Sequence, residues 1–123
     1  MTESVGIDLV EVKRIQKAAE RSGERFLKRI FTERERAYCQ KKGNEYGSLA
    51  ARFAAKEAVF KALGTGWSMG AKWTDIEVIN DALGKPEVVL HGKIKELVGT
   101  KHVAISLTHT REYAQAVAVL GKQ

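Results

Sequence analysis

The chain has 123 residues, 44% hydrophobic and 29% charged, with a net charge of +6. This length makes one domain that buries roughly two-thirds of its unfolded surface, and the composition excludes a disordered chain. A single cysteine, Cys39, excludes an internal disulfide framework and a cysteine-rich zinc site. No apolar run approaches the roughly 20 residues that cross a bilayer, and the first residues lack a signal-peptide pattern, so a cytoplasmic protein without a membrane role is expected.

Val5 to Val10 reads as a short strand, with Val5, Ile7 and Leu9 on one face and Asp8 on the other. From about Glu11 the apolar period becomes helical through Val12, Ile15 and Ala19, until Ser22-Gly23 breaks it. Phe26, Leu27 and Ile30 line a second short helix. Between Lys13 and Lys42 there are 11 Lys+Arg against 4 Asp+Glu, a surplus of +7, while the rest of the chain sums to −1. Arg14, Lys17, Arg21, Arg25 and Lys28 recur at spacings of three and four, a basic stripe that the glycine interrupts. Such an asymmetry suits an acidic partner, and it also describes a solvated helix face.

Thr32-Glu33-Arg34-Glu35 has the form of a capping box, opening a helix that stops at Gly43. Cys39 falls on it as a half-buried thiol. A longer helix is expected from about Ser48 to Leu63, with Leu49, Phe53, Phe60 and Leu63 facing the core and Gly64-Thr65-Gly66 ending it. Thereafter β-rich runs take over. Asp75 to Ile79 and Glu87 to Leu90 flank the turn-forming stretch Asn80 to Pro86. A short helix, Lys93 to Val98, precedes a hairpin of Val103 to Thr108 and Ala114 to Leu120. Helices early and hairpins late give an α+β fold: first-half helices packed on a small antiparallel sheet drawn mainly from the second half.

Glu57 and Lys61 are four residues apart, about 40° around a helix axis and one turn along it. That spacing serves an exposed ion pair. It also serves phosphoryl chemistry, in which a carboxylate holds magnesium or takes a proton and an ammonium group neutralises a phosphate oxygen. Ala50, Ala54, Ala58 and Ala62 leave room for close approach to this helix, whether by a ligand or by a packed neighbour. Magnesium takes one or two protein carboxylates and completes its octahedron with water and phosphate oxygens. Asp8, the polar position of an apolar strand, is the candidate second ligand, and a helix N-cap is its alternative role.

The chain resembles the bacterial holo-[acyl-carrier-protein] synthases of the 4′-phosphopantetheinyl transferase family. The matches run in order: Gly6-Ile7-Asp8, Arg14-Ile15, Phe53-Ala54-Ala55-Lys56-Glu57-Ala58-Val59-Phe60-Lys61-Ala62, Gly64-Thr65-Gly66, Gly84-Lys85-Pro86 and Ser106-Leu107-Thr108-His109. The resemblance implies transfer of 4′-phosphopantetheine from coenzyme A to a serine of an apo acyl carrier protein in support of fatty acid biosynthesis. It implies magnesium held by Asp8 and Glu57, with Lys61 meeting the phosphate of the leaving nucleotide. Glu57 takes the serine proton directly or through a water that it orients. Arg52 and His109 are similar to residues lining the coenzyme A nucleotide site, with Gly64, Lys85, Pro86, Ser106 and Thr108 nearby. Arg14, Arg21 and Arg25 become the contacts for the acidic carrier. A homotrimer with active sites between subunits is also implied, and Trp67, Met69 and Trp73 in a glycine-rich loop are candidates for apolar area that a neighbour covers, with internal core packing explaining them as well.

His91 and His102 match no motif and are expected at the surface. A basic nucleic-acid-binding module is the rival of another class. Its aromatics would be interleaved with the basic residues, which they are not, so no nucleic-acid partner is expected. A catalytically silent carrier-binding subunit is a second rival, and the presence of Asp8, Glu57 and Lys61 argues against it.

Overall fold

The structure, a computed structural model, describes residues 1–64 and 70–122. In chain order it holds β1 (Thr2–Glu11), α1 (Val12–Ser22), α2 (Glu24–Ile30), α3 (Glu33–Gln40), α4 (Glu45–Leu63) and a 3-10 turn at Trp73–Asp75. Then come β2 (Ile76–Asn80), β3 (Pro86–Leu90), α5 (Gly92–Val98), β4 (His102–His109) and β5 (Tyr113–Gly121). The α+β expectation is met. A three-stranded antiparallel sheet has the order β1-β5-β4, and β2 and β3 form a separate hairpin. The second half supplies every strand except β1.

The helix boundaries follow local chemistry. Gly23 takes φ 54°, a left-handed value that breaks α1 from α2. At α3 both arms of the capping box form: Thr32 Oγ1 accepts from the Glu35 amide at 3.2 Å, and the Thr32 amide donates to Glu35 Oε1 at 2.9 Å. α4 starts three residues before the expected Ser48, because Asn44 caps it by accepting from the Gly47 amide at 3.0 Å. It ends at Leu63 with Gly64 left-handed at φ 79°. Thr65, Gly66, Trp67 and Met69 lie outside the described residues.

α4 is the centre of the molecule and packs across one face of the three-stranded sheet. Its alanines at 50, 51, 54, 55, 58 and 62 are all buried, so backbone meets backbone with little side chain between. The closest approach is at Gly6 of β1, where a Cβ would run into the Ala58 carbonyl oxygen. Ser4 Oγ adds a bond to the Ala62 carbonyl at 2.5 Å.

This contact turns β1 over relative to its hydrophobicity. Gly6, Asp8 and Val10 face the helix, and Val5, Ile7 and Leu9 face outward at 57%, 54% and 61% exposure. The two faces are partitioned as the alternation predicts. The apolar one, however, is the one left uncovered.

Candidate active site

Asp8 reaches the site because its strand alternates. On the helix-facing side of β1 it pairs with Ala116 of β5 and looks onto the same stretch of α4 that Gly6 meets at Ala58 and Ala62. Glu57 and Lys61, one helical turn apart, meet it there. Lys61 Nζ donates to Asp8 Oδ1 at 3.1 Å and to the Ile7 carbonyl at 2.9 Å. Asp8 is largely covered and Lys61 half open, with side-chain exposures of 15% and 53%. Two elements far apart in sequence thus bring together the carboxylate and ammonium groups expected of the site.

Glu57 is half-buried. Burial, and then the negative charge of Asp8, push its carboxyl above the usual carboxylate range, while Lys61 and Arg14 pull it back. Two partly covered oxygen donors in mutual repulsion fit a hard divalent cation. Among the described residues no three His, Cys, Asp or Glu side chains converge as a metal cluster. Two carboxylates is nonetheless the number magnesium accepts when water and phosphate oxygens supply the rest. Asp8 does not cap α1, whose N-cap is Glu11.

The remaining candidates divide into separate places. Arg52 lies five residues before Glu57, on another side of α4, and is buried at 3% exposure. Its guanidinium lies 4.4 Å from the centre of the Tyr38 ring, and Nη2 donates to Asn80 Oδ1. Asn80 in turn donates to the Gly84 carbonyl at 3.0 Å and pairs with Pro86, so Arg52 belongs with Lys85 and Pro86 at the turn of the β2–β3 hairpin. Lys85 and Pro86 line a cleft of about 250 Å³ against the first half of β4.

Ser106 and Thr108 are exposed opposite Val117 and Gln115, on the face of the sheet away from α4. One chain does not bring them to Asp8 and Glu57. With Ile7 they line a depression on that outer face. His109 is on the helix side, exposed, and two strand spacings from β1, roughly 10 Å. Gly64 caps the end of α4. Arg14, Arg21 and Arg25 are exposed and form no ion pair among the described residues. Arg14 is near enough to act on Glu57.

The residue missed from sequence is Lys56, inside the most informative motif and fully buried. Its Nζ donates to Glu35 Oε1 at 2.8 Å, to the Trp73 carbonyl at 3.2 Å and to the Ile76 carbonyl. Glu35 Oε2 accepts from the Val78 amide at 2.8 Å. The signal was available, because positions 49, 53, 56, 60 and 63 form one helical stripe and Lys56 is its only polar member. Below it, Glu77 accepts from Thr32 Oγ1 at 2.6 Å, from Arg34 at 2.7 and 3.2 Å, and pairs with His91 at 3.0 Å. These bonds, Arg34's foremost, hold the Glu77 carboxyl down at about 2. His91 is exposed, as expected, and from the surface it pairs with Glu77. His102 is exposed, as expected, and Cys39 is fully buried, its thiol pushed up to about 11 by desolvation.

The 4′-phosphopantetheinyl transferase superfamily model matches residues 4–118. The chain is 48% identical over 123 residues to the holo-[acyl-carrier-protein] synthase of Solibacter usitatus, covering 98% of each. It is 54% identical over 115 residues to that of Chlamydia trachomatis, covering 94% of this chain and 96% of the relative. Among solved structures, it is similar to a holo-(acyl-carrier-protein) synthase from Bacillus anthracis in complex with CoA (3′,5′-ADP), with 37% identity, a TM-score of 0.82 and coverage of 100% and 99%. The Helicobacter pylori synthase in complex with coenzyme A superposes with a TM-score of 0.85 at 30% identity, covering 95% of this chain and 99% of that one.

Proposed function

Because the chain belongs to the 4′-phosphopantetheinyl transferase superfamily and is an enzyme of its holo-[acyl-carrier-protein] synthase type, we propose that Asp8, Glu57 and Lys61 form its catalytic centre. The enzyme moves 4′-phosphopantetheine from coenzyme A to a serine hydroxyl of an apo acyl carrier protein. The serine oxygen bonds to the β-phosphorus, the bond from that phosphorus to the bridging oxygen breaks, and adenosine 3′,5′-bisphosphate leaves.

The observation that carries the assignment is the meeting of β1 and α4, with Lys61 Nζ 3.1 Å from Asp8. Asp8 and Glu57 would hold magnesium, which when bound offsets charge on the pyrophosphate. Glu57 takes the serine proton directly or through a water that it orients. Lys61 leaves Asp8 for the phosphate oxygen that gains charge as the nucleotide departs. Arg52, Lys85, Pro86, Gly64, Ser106, Thr108 and His109 hold the coenzyme A nucleotide, and Arg14, Arg21 and Arg25 receive the carrier.

Residues 1–123 act as one transferase domain in the cytoplasm, serving fatty acid synthesis. The assembly is a homotrimer with each site completed by a neighbour. Two features support this: the uncovered row Val5, Ile7 and Leu9, and the position of Ser106 and Thr108 on that same outer face.

Mass spectrometry of apo carrier incubated with coenzyme A and magnesium tests the activity. The unaltered protein adds one phosphopantetheine. Asp8→Ala and Glu57→Ala keep the fold and lower the rate by about 100-fold or more. Near-normal turnover by either variant at saturating magnesium would reject the assignment.

A further inference from the structure

We infer that the cleft between the end of α2 and the Ala71–Thr74 segment is a second docking point for the acidic carrier protein, taking carboxylate side chains. This rests on the transferase reading above. The cleft encloses about 360 Å³ and is lined by Lys28, Arg29, Ala71, Lys72, Trp73 and Thr74, three cations and no carboxylate. Lys28 has only an exposed partner, Glu24, at 3.8 Å. Arg29 and Lys72 form no ion pair among the described residues, so cations crowd one concave surface with little to neutralise them.

The floor is fixed. The Trp73 ring stacks on Phe53 at 5.0 Å and meets Phe60 edge-on at 5.5 Å, both from α4. Arg29 stands one turn beyond Arg25 on α2, so the proposed carrier contacts lead toward the cleft, with Glu24, paired to Lys28 and Arg36, the one acidic residue of that helix. The basic surface crosses there to Lys72, which the sequence stripe does not include. A concave basic surface focuses its field on an approaching anion, and complementary charge raises association rate and fixes register. An acidic protein spanning α1 and α2 is the partner with this reach.

The test is steady-state transfer by Lys28→Glu/Lys72→Glu with apo carrier and coenzyme A titrated separately. The carrier KM should rise about tenfold, with kcat and the coenzyme A KM unchanged, and the difference should collapse in about 0.5 M salt. Lys28→Gln/Lys72→Gln takes its place if charge reversal disturbs folding. An unchanged carrier KM overturns the docking point. So does a rise confined to the coenzyme A KM, or loss of duplex DNA retention with carrier kinetics intact. The unaltered enzyme is assayed first. Its failure would strike the transferase reading and this inference together, whereas normal transfer with unaffected variants removes the docking point alone.

Discussion

Glu57 carries opposing demands. Its carboxyl is partly desolvated and faces Asp8, so its proton affinity rises on folding. Between the unfolded value of 4.5 and the raised folded value, the native chain binds more protons than the unfolded one. Stability therefore falls as pH climbs through that window, and the penalty is complete above it. Glu57→Gln removes the charge and keeps the shape. In metal-free buffer it should melt at a higher temperature than the unaltered chain near pH 8, and the gap should close by pH 4. A variant that melts lower near pH 8, or whose gain is the same at both pH values, would refute this account. The same variant should lose transfer activity, so the strain at this position serves chemistry and not the fold.

α4 carries the site on one side and the structural core on the others. Lys56, immediately before Glu57, fixes the rotation of the helix by tying it to α3, the 3-10 turn and β2 through Glu35 and two carbonyls. Burial lowers the Lys56 proton affinity, and Glu35 opposes that shift. Lys56→Met leaves the Glu35 charge buried without its cation and should cost about 3–5 kcal/mol in urea denaturation. Adding Glu35→Gln removes that charge, keeps one of its two acceptor oxygens, and should recover part of the loss. A cost below about 1 kcal/mol for Lys56→Met would show that the pair does not hold the helix. Gly6 works on the same helix from the other side, since only a residue without Cβ lets β1 come near enough for Asp8 to meet Lys61.

Across the whole molecule, the three-stranded sheet is covered by α4 on one face, and among the described residues no helix covers the other. Val5, Ile7 and Leu9 stand there in a row more than half exposed. Contiguous apolar surface of this kind is normally occupied in a functional assembly. Ile7→Glu should convert the proposed trimer to a single chain in light scattering and lower transfer with it, although its side chain points away from Asp8. An unchanged mass for that variant, or a monomeric mass for the unaltered protein at micromolar concentration, would remove the trimer from the mechanism. No described helix is long and apolar enough to cross a membrane.

The sequence by itself determined most local structure, because those instructions are short-range. Thr32 and Glu35 cap α3, Gly23 breaks the basic helices, Gly64 ends α4, and the four-residue step from Glu57 to Lys61 places both on one side of a helix. Asn44 is legible by the same rule, since its side chain caps α4. Only the tertiary structure decided that the polar face of β1 turns inward, since that depends on backbone meeting backbone at Gly6 and Ala58. It alone paired Lys56 with Glu35, residues from different helices that a helical stripe cannot match. It also separated Ser106 and Thr108 from Asp8. Periodicity says that alternate residues of a strand part, but not which face another element will cover.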